Sequence, residues 1–348
     1  MSPTSRLPSP PSVPHRLVRR LGPFALGALG ALALAAPAAA QFSRVKEIPP
    51  SDVFCVDVEQ DVIAAGADTA VYVSTDGGTL WRPSAPLSPA VAAILAVKLH
   101  RGRLYAGTFG QGVFVSDDLG ASWSAFNQGL TGGILNTQLD VSSLEALGDN
   151  LFVGTLGAGV YARNLQGGGR WSHFGEVLEP EQASNVNAIA LGGGRLLASG
   201  GTNGNVFWRK PGDADWTPSG FGANGASLPG VQAQSMLWTG RNWVVGTSSG
   251  LFLSATGQDP WFLSSLGIVS LRWTALAMRG PTLFAAFDVA TGVVIGSSDD
   301  DGLTWRLLAR QPGVLVYALA AHDEELFAAR GDGLWRTRSR TRPATEPK

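Results

Sequence analysis

The sequence predicts an all-β fold: a seven-bladed β-propeller of four-stranded antiparallel blades, its ring closed by the N-terminal strand. Three observations lead there. The first is composition. Among 348 residues there are 45 Gly and 11 Trp, and only 15% are charged. That suits many short strands joined by tight turns, and suits neither a helical bundle nor a disordered chain. The second is an internal repeat. "LYAGTFGQGVFVSDDLGASW" (104–123) returns as "LFVGTLGAGVYARNLQGGGRW" (151–171), "LLASGGTNGNVFWRKPGDADW" (196–216), "WVVGTSSGLFLSATGQDPW" (243–261) and "LFAAFDVATGVVIGSSDDDGLTW" (283–305). An earlier copy covers 62–81 and a truncated one 326–336. The third is the count. The closing tryptophans Trp81, Trp123, Trp171, Trp216, Trp261 and Trp305 stand 42, 48, 45, 45 and 44 residues apart. Such a period marks one propeller blade per repeat, and the 308 residues after position 40 hold seven periods of about 44.

The elements follow in chain order. Residues 1–40 read as a secretory signal, with the basic stretch "HRLVRR", an Ala/Gly-rich apolar run, and small residues before Gln41. Cleavage is expected near Ala40, leaving a periplasmic or extracellular protein with no stable membrane insertion. Arg19-Arg20 leaves Sec and twin-arginine export both open. Loss of the leader removes Arg6, Arg16, Arg19 and Arg20 and no acid, which moves the formal net charge from −1 to −5. A mildly acidic chain lacks the basic footprint of a nucleic-acid binder. The run "FSRVKEIP" (42–49) belongs to no repeat. The seventh copy ends before its closing Trp, so this run is expected to supply the missing outer strand and remove an open edge. Within each repeat an apolar run such as "VAAILAVKL" is strand a, innermost, and the "LYAG"-like run is strand b. The "GVFVS"-like run is strand c, and the run from the Trp is strand d. The propeller thus spans 41–340, and 341–348 reads as a tail. Cys55, the single cysteine, lies in the strand-like "VFCVDV" and reads as a core residue.

Three copies carry a sharper pattern between strands c and d, S-x-D-x-G-x-x-W. It stands as Ser74-Asp76-Gly78-Trp81, Ser116-Asp118-Gly120-Trp123 and Ser298-Asp300-Gly302-Trp305. The Asp can accept backbone N–H groups of its own turn, the Gly supplies positive φ, and the Trp packs between blades. A phosphate loop would need a following helix and usually a Lys, and a calcium loop a closing Glu. The pattern therefore reads as a fold element. It resembles the Asp-box of BNR-repeat propellers, a superfamily that includes sialidases, photosystem assembly factors and sortilin-type receptors. Leu80 departs from the hydroxyl that precedes the Trp in the other two copies (Ser122, Thr304).

In a propeller the a–b and c–d turns share one face, and the b–c turns and d–a connections surround the mouth of the central channel. The resemblance to sialidases implies a carboxylate-reading Arg triad and a Tyr nucleophile paired with a Glu. The sequence fits this poorly. Most of its arginines fall in a–b turns or near strand d, "KEIPP" stands where an Arg-Ile-Pro motif would, and Tyr317 alone lies on an inner strand. A two-carboxylate glycoside hydrolase is the alternative. It would use Asp68, Asp288 and Asp332 in the b–c turns of blades 1, 6 and 7, which are neighbours in a closed ring. The turns of blades 2–5 present Phe109, Gln111, Leu156, Asn203, Asn205 and Ser248, while Arg272 and Arg330 map near the mouth. The connections "SAFNQGLTGGILNTQ" and "SGFGANGASLPGVQAQ" are long and polar. Long loops on a rigid ring are where recognition concentrates. The scattered histidines give no metal or triad site, and no cofactor motif occurs. The expectation is a monomeric, non-catalytic platform for a protein, peptide or glycan ligand.

Overall fold

A computed structural model of the protein describes residues 40–130, 134–175, 185–200, 205–219, 233–248, 250–258, 260–264, 274–289 and 292–337. The expected signal (1–40, apart from Ala40) and the tail after 340 lie outside these residues. The described chain forms seven four-stranded antiparallel sheets, each in the order a-b-c-d. Blade 1 shows the plan, with Val53–Glu59, Val62–Ala67, Val71–Ser74 and Arg82–Pro83 as its four strands. The inner strands of blades 2 to 7 are Ile94–His100, Val141–Leu147, Val186–Gly192, Ala233–Trp238, Thr274–Arg279 and Val316–His322. The outer strand of the last blade is Phe42–Arg44, with Phe42 opposite Thr337 and Arg44 opposite Trp335. The N-terminal strand therefore closes the ring as the residue count requires. Behind it, Val45 and Ile48 of the N-terminal run pack with Phe327 and Leu334 of blade 7 and Ile63 and Trp81 of blade 1.

Strand b of each blade is a continuous apolar run because both of its faces are covered by neighbouring blades. Leu104–Thr108 and Leu151–Thr155, for example, are buried at every position. Space is tight enough to dictate sequence. A Cβ on Gly107 would lie 2.6 Å from Val141 Cγ1, and one on Gly154 would lie 2.5 Å from Val186 Cγ1, the first residue of the next inner strand in each case. The glycine of the "AGT" and "VGT" motifs is thus a contact between blades. The threonine that follows closes the b–c turn, donating to the Gly112 carbonyl from Thr108 and to the Gly159 carbonyl from Thr155, both at 2.8 Å.

The c–d turns behave as fold elements. Ser116 Oγ donates to Asp118 Oδ1 (2.8 Å) and accepts the Gly120 N–H (2.7 Å), while Asp118 Oδ1 also accepts the Ser122 N–H (2.8 Å). The turns at Ser74–Trp81 and Ser298–Trp305 repeat this wiring. Where Leu80 replaces the hydroxyl, only the bond from its backbone N–H to Asp76 remains (2.9 Å). The glycines sit at φ near +90°, where a side chain is strained (Gly78 +90°, Gly120 +92°, Gly302 +89°). Hydrogen bonds from Ser122 and Ser116 hold the Asp118 carboxyl below the usual range. Thr304 does the same for Asp300, and the Leu80 N–H followed by Ser74 for Asp76.

The tryptophans do more than fill space. From blade 2 to blade 6, the indole N–H of blade n reaches back to the residue at, or just past, the end of strand d of blade n−1. Trp123 donates to Ser84 Oγ, Trp171 to the Phe126 carbonyl, Trp216 to the Phe174 carbonyl, Trp261 to Ser219 Oγ and Trp305 to Ser264 Oγ. Five successive junctions, from blade 1–2 to blade 5–6, are thus each pinned by an indole hydrogen bond at the outer radius, while Trp81 of blade 1 donates to the Gly78 carbonyl of its own turn. Among the described residues, one connection departs from the all-β plan. Ile134–Leu139, in the long link between blades 2 and 3, is a 3₁₀ turn.

Candidate functional site

Hydrogen bonds fix the two faces of the ring. At the c–d turn of blade 1 the Gly77 N–H donates to the Asp61 carbonyl of an a–b turn, so these turns share a face. On the opposite face the b–c turns meet the d–a connections. Asp68 N–H donates to Asp52, Phe109 to Ala93, Leu156 to Asp140 and Gly331 to Leu315. This second face surrounds the channel mouth, as the antiparallel order demands.

The mouth has a feature that pattern reading missed. In six blades the pairing of strands a and b slips by one residue at the start of strand a, between Val53 and Cys55, Ile94 and Ala96, Val141 and Ser143, Val186 and Ala188, Ala233 and Ser235, and Val316 and Ala318. A β-bulge leaves one residue unpaired and re-aims its side chain. The six bulged residues are Phe54, Leu95, Ser142, Asn187, Gln234 and Tyr317, and all six line one cavity of about 390 Å³ on the channel axis. Blade 6 pairs without a slip over Thr274–Arg279. The ring is two-sided. Tyr317, Phe54 and Leu95 come from the consecutive blades 7, 1 and 2 and form an apolar arc, with Phe54 and Tyr317 ring centroids 5.2 Å apart. Ser142, Asn187 and Gln234 come from blades 3, 4 and 5 and form a polar arc. Deeper along the same wall Lys98 bridges Asp57 (3.5 Å) and Glu145 (3.3 Å), tying three inner strands together. Burial works against the Lys98 ammonium, but Asp57 and then Glu145 outweigh it and raise its pKa. Burial pushes the Glu145 carboxyl up, against the pull of Lys98.

The residues singled out from sequence distribute as follows. Phe109 stands at the mouth, 49% exposed, with Gln111 in the same b–c turn. Leu156 reaches the channel cavity itself. Ser248 lies in the b–c turn of blade 5, and Asn205 opens strand c of blade 4 opposite Gly200. Asn203 and Arg272 lie outside the described residues, as does most of the long connection after blade 4. The three carboxylates are not equivalent. Asp332 is not a free acid. Arg330, only 4% exposed, donates to it from both Nε (3.0 Å) and Nη2 (3.1 Å), and the Trp335 indole donates at 2.9 Å. Arg330 also stacks on Trp335 at 4.4 Å, so the pair braces the last blade. Asp288 is not in a turn. It lies inside strand b of blade 6 (Thr282–Val289), opposite Val293, because that hairpin is longer than its sisters. Asp68 is exposed, and its carboxyl is pushed up first by burial and then by Asp52. Asp52 also accepts the Tyr317 hydroxyl at 3.4 Å. Burial, then the Asp52 charge, raises the Tyr317 pKa, which favours a neutral phenol over a nucleophilic phenolate. Among the described residues no cluster of three His, Cys, Asp or Glu is arranged to hold a metal ion.

No protein-family model and no curated protein matches the sequence. Solved structures do resemble it. The structure described as YCF48 bound to D1 peptide is 16% identical, with a TM-score of 0.65 over 87% of this chain and 98% of that one. The extracellular domain of the putative one-component system BT4673 from B. thetaiotaomicron is 17% identical, with a TM-score of 0.64 over 86% of this chain. PorZ, a surface component of the type-IX secretion system of Porphyromonas gingivalis, is 14% identical, with a TM-score of 0.58 over 84% of this chain. The chain corresponds to 40% and 37% of those last two molecules. At such identities the likeness is one of fold, and it places the chain among the β-propellers.

Proposed function

We propose that the protein is a binding or assembly platform whose ligand, a protein segment, peptide or glycan, docks at the channel mouth. The observation that carries this reading is the bulged ring. Six inner strands each turn one side chain into a shared cavity, with an apolar arc facing a polar one. An arrangement with aromatic surface on one side and amide and hydroxyl groups on the other suits a ligand with one apolar and one hydrogen-bonding edge. Phe109, Gln111 and Leu156 extend it over the rim. YCF48, a propeller of the same fold, has been described with a bound peptide, which supports a peptide among the candidates. The wiring of the c–d turns supports kinship with Asp-box propellers, and their place on the far face makes them scaffold. The leader-like N-terminus supports export and cleavage near Ala40, and the closed ring supports a monomer.

The test is capture from envelope extract, with a glycan array in parallel, using the intact protein and two variants. Phe54→Ala should lower capture at least tenfold. Asp118→Asn, on the far face, should leave it unchanged. Equal capture by all three would sink the reading. So would glycoside turnover that disappears in Asp68→Asn or Asp288→Asn, which would establish the hydrolase instead. N-terminal sequencing of exported protein should begin at or near Gln41.

A further inference from the structure

Charge around the channel mouth is one-sided. Asp52 immediately precedes strand a of blade 1 and accepts the Tyr317 hydroxyl at 3.4 Å. Asp68, in the b–c turn of the same blade, is held beside it, its N–H donating to the Asp52 carbonyl at 3.1 Å. Two carboxylates thus flank the aromatic pair of Phe54 and Tyr317, whose ring centroids are 5.2 Å apart. Neither carboxylate forms an ion pair among the described residues. Burial and then the Asp52 charge push the Asp68 carboxyl up, and no cation acts on it in the other direction.

The pairing of ring and acid recurs across the mouth. Asp140 immediately precedes strand a of blade 3, and a Cβ on Gly110 would lie 4.0 Å from its Oδ1. Its carboxylate therefore sits against the turn that carries the exposed Phe109. Deeper in the cavity, Lys98 meets both Asp57 and Glu145, one positive charge against two negative ones. Arg330 adds nothing to this balance, since Asp332 neutralises it. The cavity thus has an anionic rim and an anionic base, with aromatic surface between them. An anionic ligand would be repelled at both levels, and a neutral one would leave the rim uncompensated. An organic cation satisfies both demands, because the aromatic faces attract it and the carboxylates neutralise it.

Taking the mouth as the docking site, as proposed above, we infer that its ligand is a basic peptide segment. Its ammonium group lies against the Phe54 and Tyr317 rings with Asp52 and Asp68 as counter-ions, and its backbone faces the polar arc of Ser142, Asn187 and Gln234. A lysine side chain and a chain N-terminus share this chemistry, and the test separates them.

The test is calorimetric titration of the intact protein with acetylated, amidated peptides Ser-Gly-Leu-X-Leu-Gly-Ser, where X is lysine, acetyl-lysine, norleucine or glutamate. A further peptide carries norleucine at X and a free N-terminus. The lysine peptide should bind at least about tenfold more tightly than its acetyl-lysine and norleucine counterparts, and the glutamate peptide should bind most weakly. The stronger of the two ammonium peptides names the source of the cation. The preference for an ammonium should shrink as salt rises from about 50 to about 500 mM. Phe54→Leu keeps an apolar side chain without the ring, so it should weaken the lysine peptide and spare the norleucine one. Asp52→Asn combined with Asp68→Asn should erase the preference; if that pair unfolds, Asp68→Asn alone, at an exposed position, should reduce it. Ammonium and norleucine peptides binding alike, the glutamate peptide binding tightest, no peptide bound at millimolar concentration, or an undiminished preference in the folded Asp variants would each overturn the inference. The platform reading fails separately. Capture from extract that depends on Phe54, with no charge preference among the peptides, removes the cation and keeps the mouth; capture indifferent to Phe54 removes the mouth.

Discussion

Trp171 and Trp216 look interchangeable in the sequence, but the structure predicts that they differ in worth. Both are buried, at 3% and 2% exposure, and both donate an indole N–H to the carbonyl of a Phe in the preceding blade. Replacement by Phe removes a similar volume from each, which costs about 1–2 kcal/mol through lost packing. The accepting carbonyls then diverge. The Phe126 carbonyl keeps a second donor, Arg163 Nη1 at 3.2 Å, so Trp171→Phe leaves it satisfied. Beside the Phe174 carbonyl the corresponding arginine, Arg209, leaves its Nε and Nη1 donors unpartnered. Loss of the Trp216 indole therefore strips that carbonyl of its donor, and a buried orphaned acceptor costs about 1–3 kcal/mol more. Trp216→Phe should thus destabilise by about 2–4 kcal/mol and Trp171→Phe by about 1–2 kcal/mol. The assay is urea unfolding followed by fluorescence and by circular dichroism. Coincident transitions are required before midpoints become free energies, since repeat rings can lose cooperativity. A double change supplies the internal control. Arg163→Met with Trp171→Phe removes both donors to Phe126 and should cost more than the sum of its parts, by about 1–2 kcal/mol. Equal midpoints for the two single variants, together with simple additivity in the double, would refute the account of the carbonyl pins.

Other outcomes follow from the same structure. Val45→Pro removes a backbone bond to the Leu334 carbonyl (2.8 Å) beside the closing strand. It should open the ring edge, lowering the unfolding midpoint and giving oligomers by light scattering, because an unpaired edge recruits other chains. The c–d turn carboxylates have depressed folded pKa values. Their contribution is complete above the unfolded carboxylate range, about 3.9, and is lost as pH falls through the lower folded values. The urea midpoint should therefore owe these groups no change between pH 8 and pH 5 and should fall below about pH 4, less steeply in Asp118→Asn. Burial pushes the Cys55 thiol up to about 12. An aromatic disulfide reagent at pH 8 should leave it unmodified in the folded protein and titrate it fully in urea.

The sequence by itself determined the architecture. Blade number, strand order, the closing strand and the structural role of the c–d turns all follow from a repeat of about 44 residues, because each repeat must bury its faces against its neighbours in the same way. The faces of the ring followed too, since antiparallel order leaves no choice about which turns lie together. Tertiary structure decided the chemistry of the mouth and of the far face. A bulge at the first pair of strand a leaves the local pattern of apolar residues almost unchanged, so nothing in "VFCVDV" or "VYALA" marks Phe54 or Tyr317 as a channel residue. Arg330 and Asp332 stand two residues apart and read as an ordinary turn. Only the geometry of the closed last blade makes them a stacked ion pair rather than a free acid and a free base. A second cavity, of about 580 Å³ between blades 3 and 4, draws on residues from 147 to 212. Such a gap is a property of two packed surfaces that neither stretch of sequence carries alone.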